Sequence, residues 1–317
     1  MSLEKSLTRT DRIIKSLITS HEDDIVREYA RALVAIRREL AAVFDRYGDL
    51  DYKELTKYGR LATLEKKIFK EINKLTGTTA LKLKNALGNV YRETFYRTAY
   101  SLEVELQQKL AFGLLNPNTI ERAINNPLDK YGAGQKKDTL GFLIRNSRNQ
   151  ELLKSQIRSD LTQGLIRGEG YAKISKRLKD RLEIGASRAV RIAQTEAHRV
   201  QTEGRLDSLA HAQAKGVDLG YRWVATLDDR TRDLHQEMDG QEAEEIVDGR
   251  PLFVLPDGVK TEGPGLSGIA EHDINCRCTV TAFVRGHESE KRRARGGGVI
   301  PYKSYKVWMK ARVEKVA

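Results

Sequence analysis

From Asp23 to Tyr47 apolar side chains return every three or four residues, at Ile25, Tyr29, Leu33, Ile36, Leu40, Val43 and Tyr47; they draw one stripe along a helix that ends at Gly48. A second stripe, Leu55, Tyr58, Leu61, Ala62, Leu64, Ile68, Ile72 and Leu75, predicts a helix stopping at Gly77. A third runs through Leu83, Leu87, Val90, Tyr91, Phe95, Leu102, Leu106 and Leu110. Pro117 and Pro127, set among Asn116, Asn118, Asn125 and Asn126, leave room for at most one short helix, and the glycine-rich run from Tyr131 to Lys137 reads as a linker. Helix resumes near Leu140, with Ile157, Leu161 and Leu165 on one face, until Gly168 and Gly170 interrupt. Beyond them the pattern predicts a short helix holding Tyr171, Ile174, Leu178 and Leu182. A long one follows, capped by Ser187 and running through Ala193, Ala197, Val200, Leu206 and Leu209 to about Gly216.

At Tyr221 the period changes from three or four to two. Tyr221, Trp223, Ala225 and Leu227 alternate with Arg222, Val224 and Thr226, and Val280, Ala282 and Val284 alternate with Thr279, Thr281 and Phe283, as half-buried strands do. The fold class expected is therefore α+β: a predominantly helical N-terminal body and a small C-terminal α+β module with a short antiparallel sheet of two or three strands. The boundaries expected are a helical bundle or stalk over 1–130, a linker over 131–139, further helices over 140–220, the small module over 221–285, and a basic flexible segment with a C-terminal helix over 286–317.

Composition narrows the classes. Of 317 residues 39% are hydrophobic and 32% charged, a globular balance. No stretch approaches the roughly 18 consecutive apolar residues of a membrane span. Met1 to Thr10 lacks the apolar run of a secretory signal, so a cytoplasmic origin is expected. The net charge of +12 is unevenly distributed: residues 225–284 hold 13 acidic and 5 basic side chains, residues 285–317 hold 10 basic and 3 acidic, and the rest of the chain carries +13. A basic body and tail suit a polyanion, and the acidic module suits something else. Lys291, Arg292, Arg293 and Arg295 are candidate phosphate contacts, which would bind double-stranded DNA without reading its sequence.

The residues with most chemistry lie in the acidic module. Asp228-Asp229-Arg230-Thr231-Arg232-Asp233-Leu234-His235 is followed by Met238-Asp239-Gly240-Gln241 and by His272-Asp273-Ile274-Asn275-Cys276-Arg277-Cys278. The two cysteines are the only ones in the chain, and one intervening residue is too few for an easy disulfide. With His235 and His272 they offer two imidazoles and two thiolates, the inventory of a closed structural zinc site. The alternative is that His272 and Asn275 brace a turn while Cys276 and Cys278 fill small positions where a strand begins. A third reading makes Asp228, Asp229, His235 and His272 the centre of a metal-dependent nuclease or phosphodiesterase; against it, Asp228 reads equally well as a turn cap. Gly263-Pro264-Gly265-Leu266-Ser267-Gly268 fits a dinucleotide-binding pattern in letters only, since no βαβ unit surrounds it, and reads as a surface loop.

These motifs, in this order and spacing and with Ala193-Gln194-Thr195-Glu196 ahead of them, resemble the phage head morphogenesis family, the minor head proteins of tailed bacteriophages related to the F protein of phage Mu. The resemblance covers roughly 190–285. It implies a protein that acts through contacts rather than catalysis: a capsid-internal, portal-associated minor head protein working in head assembly and in DNA packaging or ejection. Its partners would be the portal protein, other head proteins and DNA, and its location the virion after assembly in the host cytoplasm. It also implies a structural motif formed by Thr195, Glu196, Asp228, Arg230, Thr231, Asp239, Gly240 and Asn275, with Glu196 pairing with Arg230 or receiving backbone N–H groups. Relatives often carry cysteines where this chain has Arg232 and His235. A histidine replaces a thiolate ligand, and an arginine does not.

Overall fold

The computed structural model describes residues 3–48, 53, 56, 59–125, 142–226 and 228–286. The linker 131–139, the cluster Lys291, Arg292, Arg293 and Arg295, and the expected C-terminal helix lie outside the described residues. In chain order the elements are α1 (Leu3–Tyr47), α2 (Arg60–Leu106), α3 (Pro117–Asn125), α4 (Phe142–Ile166), α5 (Tyr171–Ala214), β1 (Leu219–Val224), α6 (Asp233–Glu237), β2 (Glu245–Val247), β3 (Arg250–Val254), β4 (Lys260–Thr261), α7 (Ala270–Asp273) and β5 (Thr279–Val284). This is the α+β class expected, with long helices ahead of a small sheet module.

The helices are longer than the pattern predicts. α1 reaches back to Leu3 because Leu3, Leu7, Thr10 and Ile14 make a buried face spaced for a helix, hidden in sequence by the charges between them. α2 does not stop at Gly77. A helix-interior glycine costs about 1 kcal/mol against alanine, and burial of Ile72, Leu75 and Leu83 on both sides outweighs it. The Thr76 and Thr79 hydroxyls add in-helix bonds to the carbonyls of Ile72 (2.9 Å) and Leu75 (3.0 Å). α5 is likewise one helix rather than two. Ser187 Oγ donates to the Glu183 carbonyl at 3.0 Å inside the helix, so it caps nothing. Gly185 is a contact point instead of a break, since a Cβ there would stand 3.1 Å from the Tyr29 ring. At its other end α2 stops at Leu106, four residues early; Gln107 turns left-handed (φ 52) and the buried Glu103 carboxylate accepts the Leu110 N–H at 2.8 Å. The short helix expected between the prolines is α3.

The chain groups into two compact units: one holds Thr19–Asn85 and Phe142–Gln194, the other Met1–Ile18, Ala86–Gly141 and Thr195–Ala317. Among its described residues the first is built from helices and the turns that end them. Its core is Ile25, Tyr29, Ile36 and Leu40 from α1, Leu64, Ile68 and Ile72 from α2, Leu153, Ile157 and Leu161 from α4, and Ile174, Leu178 and Leu182 from α5, each a run at helical spacing. Asn149, buried in it, donates to Tyr29 Oη and the Gly185 carbonyl, both at 3.2 Å, and Arg181 grips the buried Asp160.

The other unit carries two sheets. β1 and β5 pair antiparallel from Leu219 opposite Val284 to Val224 opposite Thr279. β2, β3 and β4 form a second antiparallel sheet. Among the described residues five strands thus stand where two or three are expected, because β2 and β4, at three and two residues, are too short to show a period. Tyr221, Trp223, Val280 and Ala282 join Leu206, Leu209 and Ala212 of α5, Leu3 and Leu7 of α1, and Phe95 and Leu102 of α2 in one core. The loop Gly263–Gly268 is not a surface loop: Glu262 to Leu266 are buried. Its glycines let it lie against α5, where a Cβ on Gly265 would stand 2.8 Å from the His198 ring.

Candidate metal centre

The loop after β1 folds back on its own strand. Trp223 N–H donates to Gln241 O at 2.8 Å, Gly240 N–H returns to Trp223 O at 2.9 Å, and Asp239 Oδ1 accepts the Ala225 N–H at 2.9 Å. Gly240 takes φ 77, the conformation that favours glycine. The same loop is fastened to the segment before β5. Thr226 Oγ1 donates to Arg277 O (2.8 Å), Arg232 to Ile274 O (2.6 Å), and the Arg277 guanidinium clasps Asp228 with both nitrogens. That clasp holds the Asp228 carboxyl well below the usual carboxylate range, helped by the Arg230 N–H (3.1 Å) and Thr231 Oγ1 (3.2 Å). In α7 the buried Asp273 accepts from Ser267 N and Oγ and from Gly268 N, though burial still pushes its carboxyl upward. Asn275, at φ 58, turns the chain from α7 into Cys276.

These fastenings bring His235 of α6 against Cys276 and Cys278. All three are buried, and their ligand atoms lie within 4.8 Å of one another. His235 Nδ1 is 3.6 Å from each sulfur. Trp223 closes the cluster with its ring edge-on to His235 at 5.6 Å. The contact with Cys276, and after it the contact with His235, pulls the Cys278 thiol down; the same Cys276–Cys278 contact and burial push Cys276 up. His272 does not join the three. Its Nδ1 faces His235 Nε2 at 3.4 Å, and its Nε2 faces Asp257 Oδ2 at 2.9 Å. The donor set of one imidazole and two thiols, in a buried pocket of backbone turns, fits a soft or borderline divalent metal and does not fit magnesium or calcium.

The other sequence candidates act as fasteners. Asp228, Thr231, Asp239, Gly240 and Asn275 all serve the turns just described. Arg230 offers its backbone N–H to Asp228, and Glu196 binds Arg199 (2.9 Å) where the motif suggested Arg230. Thr195 is buried beside Glu196 on α5. The four residues of the nuclease reading do not converge: Asp228 is held by Arg277, Asp229 is exposed, His235 faces the thiols and His272 faces Asp257. Three arginines escaped the sequence reading. Arg199 also donates to the Ile124 carbonyl (3.1 Å). Arg205, 1% exposed, binds Asp11, Thr279 Oγ1 (2.6 Å) and the Val280 carbonyl (2.7 Å). Arg250 is enclosed by Glu203, Asp207 and Glu262, with Tyr91 donating to the same Asp207. Burial opposes the Arg250 charge and the three carboxylates more than restore it, so its pKa rises. The signal was present in α5, where Glu196, Arg199 and Arg205 interrupt the buried stripe of Ala193, Val200 and Leu206 at its own spacing.

The model of the Phage Mu protein F like protein family matches residues 155–281, which include α5, β1 to β4, the start of β5 and the His235–Cys276–Cys278 cluster. Minor head protein GP7 of Bacillus phage SPP1 is 31% identical over 308 residues, 95% of each chain. NAD(+)–arginine ADP-ribosyltransferase EFV of Enterococcus faecalis is 26% identical over 93% of this chain and 58% of its own. An uncharacterized protein of Haemophilus influenzae is 30% identical over 46% of this chain and 28% of its own. No solved structure matches. Because the likeness to the phage minor head protein runs nearly end to end in both chains and the family match overlies most of the sheet module, the chain belongs to the Phage Mu protein F like family of phage minor head proteins.

Proposed function

We propose that the chain is a minor component of a phage head, inside the capsid near the portal, where it acts in head assembly and in DNA packaging or ejection. The observation that carries this reading is the end-to-end likeness to a minor head protein. Its partners are the portal protein, other head proteins and double-stranded DNA, the last through sequence-independent contacts of the basic regions, Lys291, Arg292, Arg293 and Arg295 among them. Its place is the virion, after a period in the host cytoplasm. The chain acts by contact rather than catalysis. The relative named as an ADP-ribosyltransferase is a longer protein of which this chain spans 58%, and its activity is not carried over. No described helix is long and apolar enough to cross a membrane.

The cysteine cluster holds one zinc through His235, Cys276 and Cys278. With zinc–sulfur bonds of about 2.3 Å and a zinc–nitrogen bond of about 2.0 Å, a tetrahedral ion sets each nitrogen–sulfur edge at about 3.5 Å; His235 Nδ1 lies 3.6 Å from both sulfurs. A single imidazole nitrogen has one lone pair or one proton, so it cannot satisfy two thiols by hydrogen bonding alone. A divalent ion uses all three, and two thiolates cancel its charge in a buried place where an unpaired charge is costly. It would tie α6 to the entry of β5.

Quantitative mass spectrometry of particles from the phage or prophage encoding this chain tests the head reading. A low, definite number of copies relative to portal and major capsid protein is expected, and absence from both virions and assembly intermediates would overturn it.

A further inference from the structure

His272 was expected to be a ligand, yet both its ring nitrogens are engaged elsewhere. Its Nε2 meets Asp257 Oδ2 at 2.9 Å, and its Nδ1 meets His235 Nε2 at 3.4 Å. The two imidazole planes differ by 13°, and their centroids, 5.6 Å apart, exceed the nitrogen–nitrogen distance by about two ring radii. The rings therefore meet edge to edge, in the plane that holds both the N–H and the lone pair. Asp257 is itself held, its other oxygen accepting the Val259 N–H at 3.2 Å.

The direction of the chain of contacts follows from its end. An ionised carboxylate only accepts, so a neutral His272 carries its proton on Nε2, which leaves Nδ1 as a lone pair. That lone pair calls for the proton of His235 on Nε2. His235 Nδ1 is then a bare lone pair aimed between the two sulfurs, the form in which imidazole binds a metal.

We propose that Asp257 and His272 are positioning residues that select the His235 tautomer, so that the metal has three protein ligands, His235, Cys276 and Cys278, and the outer pair sets its affinity. The proposal rests on the metal reading above. Asp257 stands between β3 and β4 with its side chain 36% exposed, far in sequence from the cysteines, and no motif marked it.

The test titrates the full chain, stripped of metal, with zinc(II) against a competing chelator and with cobalt(II) read by its absorption. The parent is expected to bind one ion, and His235→Ala and Cys276→Ser to lose it. His272→Ala and Asp257→Ala should keep one ion per chain and the thiolate–cobalt bands of the parent while affinity falls by about 10–100-fold. Asp257→Asn, which keeps the shape and loses the anionic acceptor, should fall in the same direction in a protein with unchanged far-ultraviolet circular dichroism. If His272→Ala abolishes binding or alters the cobalt spectrum, His272 is a ligand and the proposal fails. Unchanged affinity in both Asp257 variants would overturn it too. A parent that takes up neither ion removes the zinc reading itself, and this proposal with it.

Discussion

His198 offers a quantitative test of the packing between α5 and the Gly263–Gly268 loop. Its Nε2 is buried without a hydrogen-bond partner, and its ring lies under Gly265. Burial lowers its pKa from 6.5 to about 4. Between those values the unfolded chain takes up a proton that the folded chain refuses, so stability falls as pH drops through that window. From pH 7 to pH 5 the two binding curves diverge by about 2 kcal/mol, nearly all of it gained below pH 6.5. The parent and His198→Leu should be unfolded in urea at both pH values, followed by tryptophan fluorescence, with excess chelator so that metal release does not enter. The parent is expected to lose about 2 kcal/mol more than the variant over this interval, because every other titrating group is common to both. Equal losses would show that the ring is hydrated or able to rotate to a partner, and would refute the burial argument.

Arg250→Leu leaves Glu203, Asp207 and Glu262 facing one another in a closed space, and should cost about 3–5 kcal/mol in urea unfolding. Arg250→Lys should recover only part of that, since one ammonium cannot reproduce the three-way fork. Two glycines of α2 and α5 should respond with opposite sign. Gly77→Ala meets open space inside a helix and should raise stability by about 0.5–1 kcal/mol, whereas Gly204→Ala sets a Cβ 2.7 Å from the Tyr91 carbonyl and should lower it by about 1–3 kcal/mol. Thermal melts of the three proteins would decide both. Stripping the metal with a chelator should lower the melting temperature of the parent and leave that of Cys276→Ser unmoved; equal responses would mean that no ion contributes to folding.

The sequence by itself determined the class of the fold and the components of the site. A period of three to four residues over long stretches and a period of two at Tyr221 and Val280 are local properties, and they sufficed to place helices and the β1–β5 pair. The inventory of two histidines and two cysteines was also legible, since metal chemistry follows from residue type. What tertiary structure decided were matters of contact. Whether Gly77 and Gly185 break a helix depends on how much buried surface lies on either side, and at both places burial outweighs a cost of about 1 kcal/mol. Whether Ser187 caps a helix depends on whether the chain continues past it. Which histidine faces the sulfurs was undetermined by spacing. α6 and α7 each present one ring, and only the fastening of the 225–241 loop to residues 274–278 turns His235 inward and leaves His272 to Asp257. Asp257 and Arg250 carried no signal of their own for the same reason: a charged side chain is ordinary on a surface, and acquires a role only when folding removes it from water beside a particular partner.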